Sequence, residues 1–191
     1  MAPAHMARCL HLKLVLGLVI ILSWTCRPQR PEPVTPPSGN SSFSQSLRQE
    51  LERENRRISE TENEDIENYI RRRGWPFFST GTGLRLAVYE KGQGRRPASG
   101  DIVWVQYSVS LLNGQECYRS EPGKVESFTV DFDMVESGLH EAMKYLQEGD
   151  RAIVIIPSHL AFGLLGDLDK IPPFSTIVYD IYLSEVEPRK P

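Results

Sequence analysis

Cysteine is scarce in this chain. The three that occur, Cys9, Cys26 and Cys117, are too scattered for a disulfide framework or a zinc site. An excess of one charge is missing too: 22 basic and 25 acidic residues leave a net charge of −3. Nucleic acid binding needs a concentrated basic face, so no nucleic acid partner is expected. No repeat of fixed period appears, which excludes a solenoid or propeller. The Gly81-x-Gly83 pattern does not open a helix, which excludes a phosphate loop. His140 and His159 lack both ligand spacing and a paired base, so they read as structural or surface residues. At 191 residues, one domain of ordinary size with additions remains.

What is present is ordered along the chain. Arg8 and Lys13 precede the apolar run Leu14–Trp24. That run is about eleven residues long, short for a membrane span of about 20 and right for a signal core. It ends at Leu22-Ser-Trp-Thr-Cys26, and a cysteine in that place resembles the lipobox of bacterial lipoproteins, with Cys26 as the lipid attachment site. Ordinary secretory cleavage and an uncleaved signal anchor are the alternatives. All three place the mature protein outside the cytoplasm, and the lipobox reading places it on the periplasmic face of a bacterial membrane, with the outer membrane expected. Residues 27–42, with five prolines in polar company, cannot bury apolar area and are expected to be a disordered tether.

Residues 43–78 are expected to be a helical arm, and 79–191 the folded domain. Phe43, Leu47, Leu51 and Ile58 make a thin apolar stripe. Thr61-Glu-Asn-Glu64 fits a capping box that starts a second helix, with Ile66, Tyr69 and Ile70 on one side. Arg71–Arg73 complement its C-terminal dipole, and Gly74 suits the C′ position. The arm is either solvated and packed lightly on the domain, or a surface for homodimerisation or partner binding. Trp75-Pro-Phe-Phe78 is expected to dock it.

The rest reads as strands around one helix. Leu84, Leu86 and Val88 alternate as a first strand. Val103, Val105, Tyr107, Val109 and Leu111 share a face of the next, and Asn113-Gly114 signals a type I′ hairpin. Phe128, Val130 and Phe132 form another apolar face. Leu139, Ala142, Met143 and Leu146 follow helical spacing. A final run puts Ile177, Tyr179, Ile181 and Leu183 on one face, the pattern of a half-buried antiparallel strand. The class is therefore α+β: a twisted antiparallel sheet wrapped around one short α-helix, preceded by the arm.

Residues 84–187 carry an ordered set of motifs: Gln106-Tyr107, Leu111-Leu-Asn-Gly114, Val135-Glu-Ser-Gly-Leu139, Glu148-Gly-Asp-Arg-Ala152, Ile156-Pro-Ser-His-Leu-Ala-Phe-Gly163, Ile171-Pro-Pro173 and Thr176-Ile-Val-Tyr-Asp180. Together they resemble the FK506-binding-protein class of peptidyl-prolyl cis-trans isomerases. With the lipobox and arm, the chain is similar to exported lipoprotein members linked to gliding motility in Bacteroidetes-like organisms. The resemblance implies a prolyl isomerase that assists folding of exported envelope proteins, has proline-containing polypeptides as clients, and needs no cofactor or metal. A catalytically weak binding module, acting as chaperone or assembly factor, is the alternative.

Carried over by position, the resemblance implies a proline pocket of Tyr107, Val135, Leu139, Phe162, Ile171 and Tyr179. Phe162 replaces a more usual tyrosine, and Tyr179 a usual phenylalanine. Glu136 stands where an aliphatic residue is usual. Cys117-Tyr118 replaces the family's Phe-Asp pair, so a looser wall is expected at Cys117. Tyr118 receives no role.

Overall fold

The computed structural model describes residues 41–189; the signal segment, Cys26 and the tether up to residue 40 lie outside them. From Ser41 the chain runs as a single helix, α1 (Ser41–Arg73). The helix start expected at Thr61 is corrected: α1 passes straight through it. Neither glycine nor proline interrupts residues 43–73, so nothing breaks the backbone ladder. The C-terminus follows expectation, with Arg71–Arg73 in the last turn. Gly74 lies at φ +68°, and its N–H donates to Ile70 O at 3.1 Å.

Seven antiparallel strands follow: β1 (Phe78–Ser79), β2 (Arg85–Glu90), β3 (Ile102–Leu111), β4 (Glu116–Arg119), β5 (Glu126–Thr129), β6 (Arg151–Ile156) and β7 (Ile177–Glu187). Their order is β1-β2-β6-β7-β3-β4, with β5 also pairing β3. A short helix, α2 (Ser137–Met143), lies between β5 and β6. The Asn113-Gly114 hairpin is not type I′, which needs positive φ at both residues. Only Gly114 has it, and the Asn113 side chain accepts from the Gln115 N–H at 2.8 Å, closing a local turn.

The core divides by strand face. Val103, Val105, Val109 and Leu111 of β3 join Ile177, Tyr179, Ile181 and Leu183 of β7 beneath Leu139, Ala142 and Met143 of α2. Gly138 lets α2 approach closely, since a Cβ there would sit 2.3 Å from Ile156 Cγ2. The opposite face holds Ile153, Ile155 and Val178, which Ile66 and Tyr69 of α1 cover. β7 therefore departs from the half-buried expectation at its start: Ile177, Val178 and Tyr179 are all buried, because α1 covers the second face. Each such apolar side chain taken fully from water contributes about 1.5–3 kcal/mol.

One contact joins α1 to the connection between β6 and β7. The Glu62 carboxylate accepts the Ser158 N–H at 2.6 Å, the Ser158 hydroxyl at 3.0 Å and the Thr176 hydroxyl at 2.6 Å. Both ends of that connection are thus tied to the helix.

Candidate active site

A cavity of about 660 Å³ opens over the inner face of the sheet beside α2. Tyr107 of β3, Val135, Leu139 of α2, Phe162 and Tyr179 of β7 all line it. Ile171 does not. It is 2% exposed within the core, and its N–H donates to Asp167 Oδ1 at 2.7 Å. Its side chain packs in the main core cluster.

The two tyrosines form one wall. Their ring centroids are 5.7 Å apart at 53°, a favourable tilted arrangement. Tyr107 donates its hydroxyl to Glu126 at 2.9 Å, and Tyr179 donates to Glu136 at 3.0 Å. Burial, then the bond to Glu126, pushes the Tyr107 phenol up to about 12. Burial and the neighbouring Glu136 push Tyr179 up as well. Both therefore stay neutral hydroxyls at any physiological pH.

The lining residues that sequence reasoning does not place at the pocket include Tyr118, Phe128, Glu126 and Glu136. By sequence, Phe128 reads only as part of an apolar strand face. Glu126 lies two residues before it, so strand periodicity puts both on one side of β5. That was the available signal.

Tyr118 depends on a bulge. Val109 pairs Tyr118 but Ser110 pairs Glu116, so β4 carries one extra residue, Cys117. A bulge of this kind lets two successive side chains lean to one side. Cys117 is accordingly 4% exposed, while Tyr118 lines the cavity. The looser wall expected at Cys117 is corrected: Cys117 does not line the cavity, and the Tyr118 ring does. The Cys117 thiol packs as a small hydrophobe, with burial pushing its pKa up.

The histidines are structural. His140 Nδ1 accepts the Asp131 N–H at 3.0 Å, and His159 Nε2 lies 3.0 Å from Thr82 O. A second groove of about 660 Å³ runs between α1 and the residues around Leu112 and Phe174. Its lining includes Arg57, Glu62 and Asp65 and lacks facing aromatic walls. The first cavity, with aromatic sides and an aliphatic floor, is the one suited to a small apolar ring.

Comparison with known proteins agrees. Residues 93–184 match the model of the FKBP-type peptidyl-prolyl cis-trans isomerases. FK506-binding protein 1 of Debaryomyces hansenii is 32% identical over 104 residues, covering 53% of this chain and 93% of that protein. The chain belongs to the FKBP family. The FKBP-type peptidyl-prolyl cis-trans isomerase FkpA of Escherichia coli K12 is 34% identical over 110 residues, or 58% of this chain. The match spans only 40% of the length of FkpA. The crystal structure of Escherichia coli FkpA superposes with a TM-score of 0.58 at 25% identity, covering 93% of this chain and 82% of that one. A peptidyl-prolyl cis-trans isomerase from Pseudomonas syringae pv. tomato gives a TM-score of 0.61 at 25% identity, covering 70% and 96%. Every residue lining the cavity, from Val105 to Tyr179, falls inside the segment matched to the FKBP family.

Proposed function

We propose that the chain is a peptidyl-prolyl cis-trans isomerase assisting the folding of exported envelope proteins. The observation that carries this reading is the cavity in which Tyr107, Phe128, Phe162 and Tyr179 surround Leu139, in a chain of the FKBP family. Rotation about a prolyl bond faces a barrier of about 18–20 kcal/mol and takes tens to hundreds of seconds unaided. The twisted amide has lost resonance and is less charge-separated than the planar one. An apolar, aromatic cavity favours it, and binding the twisted form more tightly than the planar form lowers the barrier. The resemblance gives the backbone N–H of Glu136, the N-cap of α2, as the donor to the substrate carbonyl. No covalent step is required.

The leader supports export, and Cys26 in its lipobox-like setting supports a lipid anchor on the periplasmic face of the outer membrane. The exposed Leu47 and Leu51, at 47% and 56%, support a homodimer through α1. Sedimentation at several concentrations tests that contact.

Isomerisation of a short X-Pro peptide by the full chain tests the main reading, with Tyr107→Ala and Phe162→Ala beside it, each checked for folding. Acceleration lost in both variants is expected. A well-folded chain that gives no acceleration would overturn the isomerase reading. It would favour the binding module, for which Cys117-Tyr118 in place of the usual pair is the supporting observation.

A further inference from the structure

The mouth of the cavity carries charge of one sign. Among the described residues, its lining includes Glu126 and Glu136 and no basic side chain. Several surface carboxylates elsewhere on the domain pair with cations: Glu67 with Arg85, Glu116 with Arg119, Asp131 with Lys144 and Glu90 with Arg151. Glu126 and Glu136 pair with no Lys or Arg among the described residues. Each accepts one tyrosine hydroxyl, Glu126 from Tyr107 and Glu136 from Tyr179.

That arrangement does two things. The hydroxyls orient the carboxylates at the aromatic wall, so little side-chain freedom remains to be lost on binding. A carboxylate offers about four lone-pair positions, and one tyrosine bond leaves room for a further donor. Further charged groups lie at Tyr118, which also lines the cavity. Asp167 and Asp169 accept from its hydroxyl, and the Lys170 ammonium sits 4.7 Å from its ring centroid. At Tyr118, two carboxylates thus accompany one ammonium. The raised phenol of Tyr107, for which burial comes first and Glu126 and Glu136 follow, agrees with a negative potential at the mouth.

We infer that the cavity selects proline segments that carry a lysine or arginine side chain next to the proline, with Glu126 and Glu136 receiving the cation. The inference rests on the proline-pocket reading and specifies its substrate class. Apolar walls take the prolyl ring, and the carboxylates discriminate on the neighbouring side chain. Exposed ion pairs are modest in strength. The expected preference of a Lys-Pro peptide over a Glu-Pro peptide is therefore about tenfold at low salt, shrinking as salt screens the mouth.

The test uses the full chain and three peptides that differ only in the residue before proline: lysine, leucine or glutamate. Isomerisation rate and calorimetric affinity are both measured, at low and high ionic strength. The expected order is lysine, leucine, glutamate. The lysine-to-glutamate ratio should collapse toward one in the E126Q/E136Q double variant and in high salt. The ratio is taken within each protein, so an overall loss of turnover in the variant does not obscure it. Carboxylates that only orient the tyrosines would alter all three peptides alike and leave the ratio unmoved. Turnover of the leucine peptide with a wild-type ratio near one overturns the charge selection and leaves the isomerase reading intact. Binding in the expected order without turnover removes the isomerase reading and keeps the selection. Binding of none of the peptides overturns both.

Discussion

The hydroxyl of Tyr118 donates to the carboxylate of Asp167, joining β4 to the connection that carries Phe162. The other oxygen of Asp167 accepts the N–H groups of Asp169 at 3.0 Å and Ile171 at 2.7 Å. One carboxylate thus folds the end of the loop and ties it to the bulged strand beside the cavity. Tyr118 supplies the hydroxyl of this tie.

Tyr118→Phe should therefore loosen the loop without disturbing the sheet. Amide exchange at Asp169 and Ile171 is expected to accelerate, while the β3 and β7 amides keep their protection. Exchange followed by mass spectrometry or NMR reads this directly. Unchanged exchange at both loop amides would show that the backbone donors suffice to hold Asp167.

Acid should expose a second carboxylate. Asp101 is 4% exposed and accepts the Ala98 N–H at 2.8 Å, the Arg189 N–H at 3.1 Å and the Arg95 guanidinium at 2.5 Å. Burial pushes its pKa up, but the two N–H groups and Arg95 outweigh burial and hold it below 3.8. A carboxyl lowered by folding stabilises the native state above its unfolded value of about 3.9, and loses that contribution as pH falls through the folded value. Stability to urea should be level above about pH 5 and fall below about pH 4. Asp101→Asn should flatten that fall.

Glu62 links α1 to both ends of the β6–β7 connection. Glu62→Ala leaves the buried Ser158 N–H and the Ser158 and Thr176 hydroxyls without their acceptor. An unmet buried donor costs about 1–3 kcal/mol, so a loss of about 2 kcal/mol is expected in denaturant titration. A change within about 0.5 kcal/mol would mean that water replaces the carboxylate at no cost.

Gly138→Ala tests the approach of α2 to the sheet. The added methyl meets Ile156 Cγ2, and overpacking of this kind costs about 1–3 kcal/mol. Because Leu139 follows directly and lines the cavity, turnover on an X-Pro peptide should fall as well. A variant of wild-type stability would show that α2 shifts freely.

The lipid anchor is tested on Cys26. Cys26→Ala is expected to lose acyl labelling and membrane association. Labelling that persists in the variant would end the lipoprotein reading.

Much of the fold was legible because strand faces repeat with period two. Val103 to Leu111 and Ile177 to Leu183 declare their buried sides from composition alone, and Leu139, Ala142 and Met143 do the same at helical spacing. The second cover on Val178 was not legible, because α1 reaches it from more than a hundred residues earlier in the chain. The capping-box pattern at Thr61 misled because no glycine or proline breaks residues 43–73, so the helix runs on through it.

The sequence by itself determined the inner faces of β3, β7 and α2, the end of α1 at Gly74 and the set of motifs that marks the FKBP family, because each depends on local spacing; the faces expected through Val88 and Phe132 end in exposed side chains. Tertiary structure alone decided that Ile171 is buried in the core, that a bulge at Cys117 turns Tyr118 toward the cavity, and that Glu126 and Glu136 meet two tyrosines at its mouth. Those outcomes depend on strand register and on contacts between distant segments. Neither is encoded in the periodicity of any one of them.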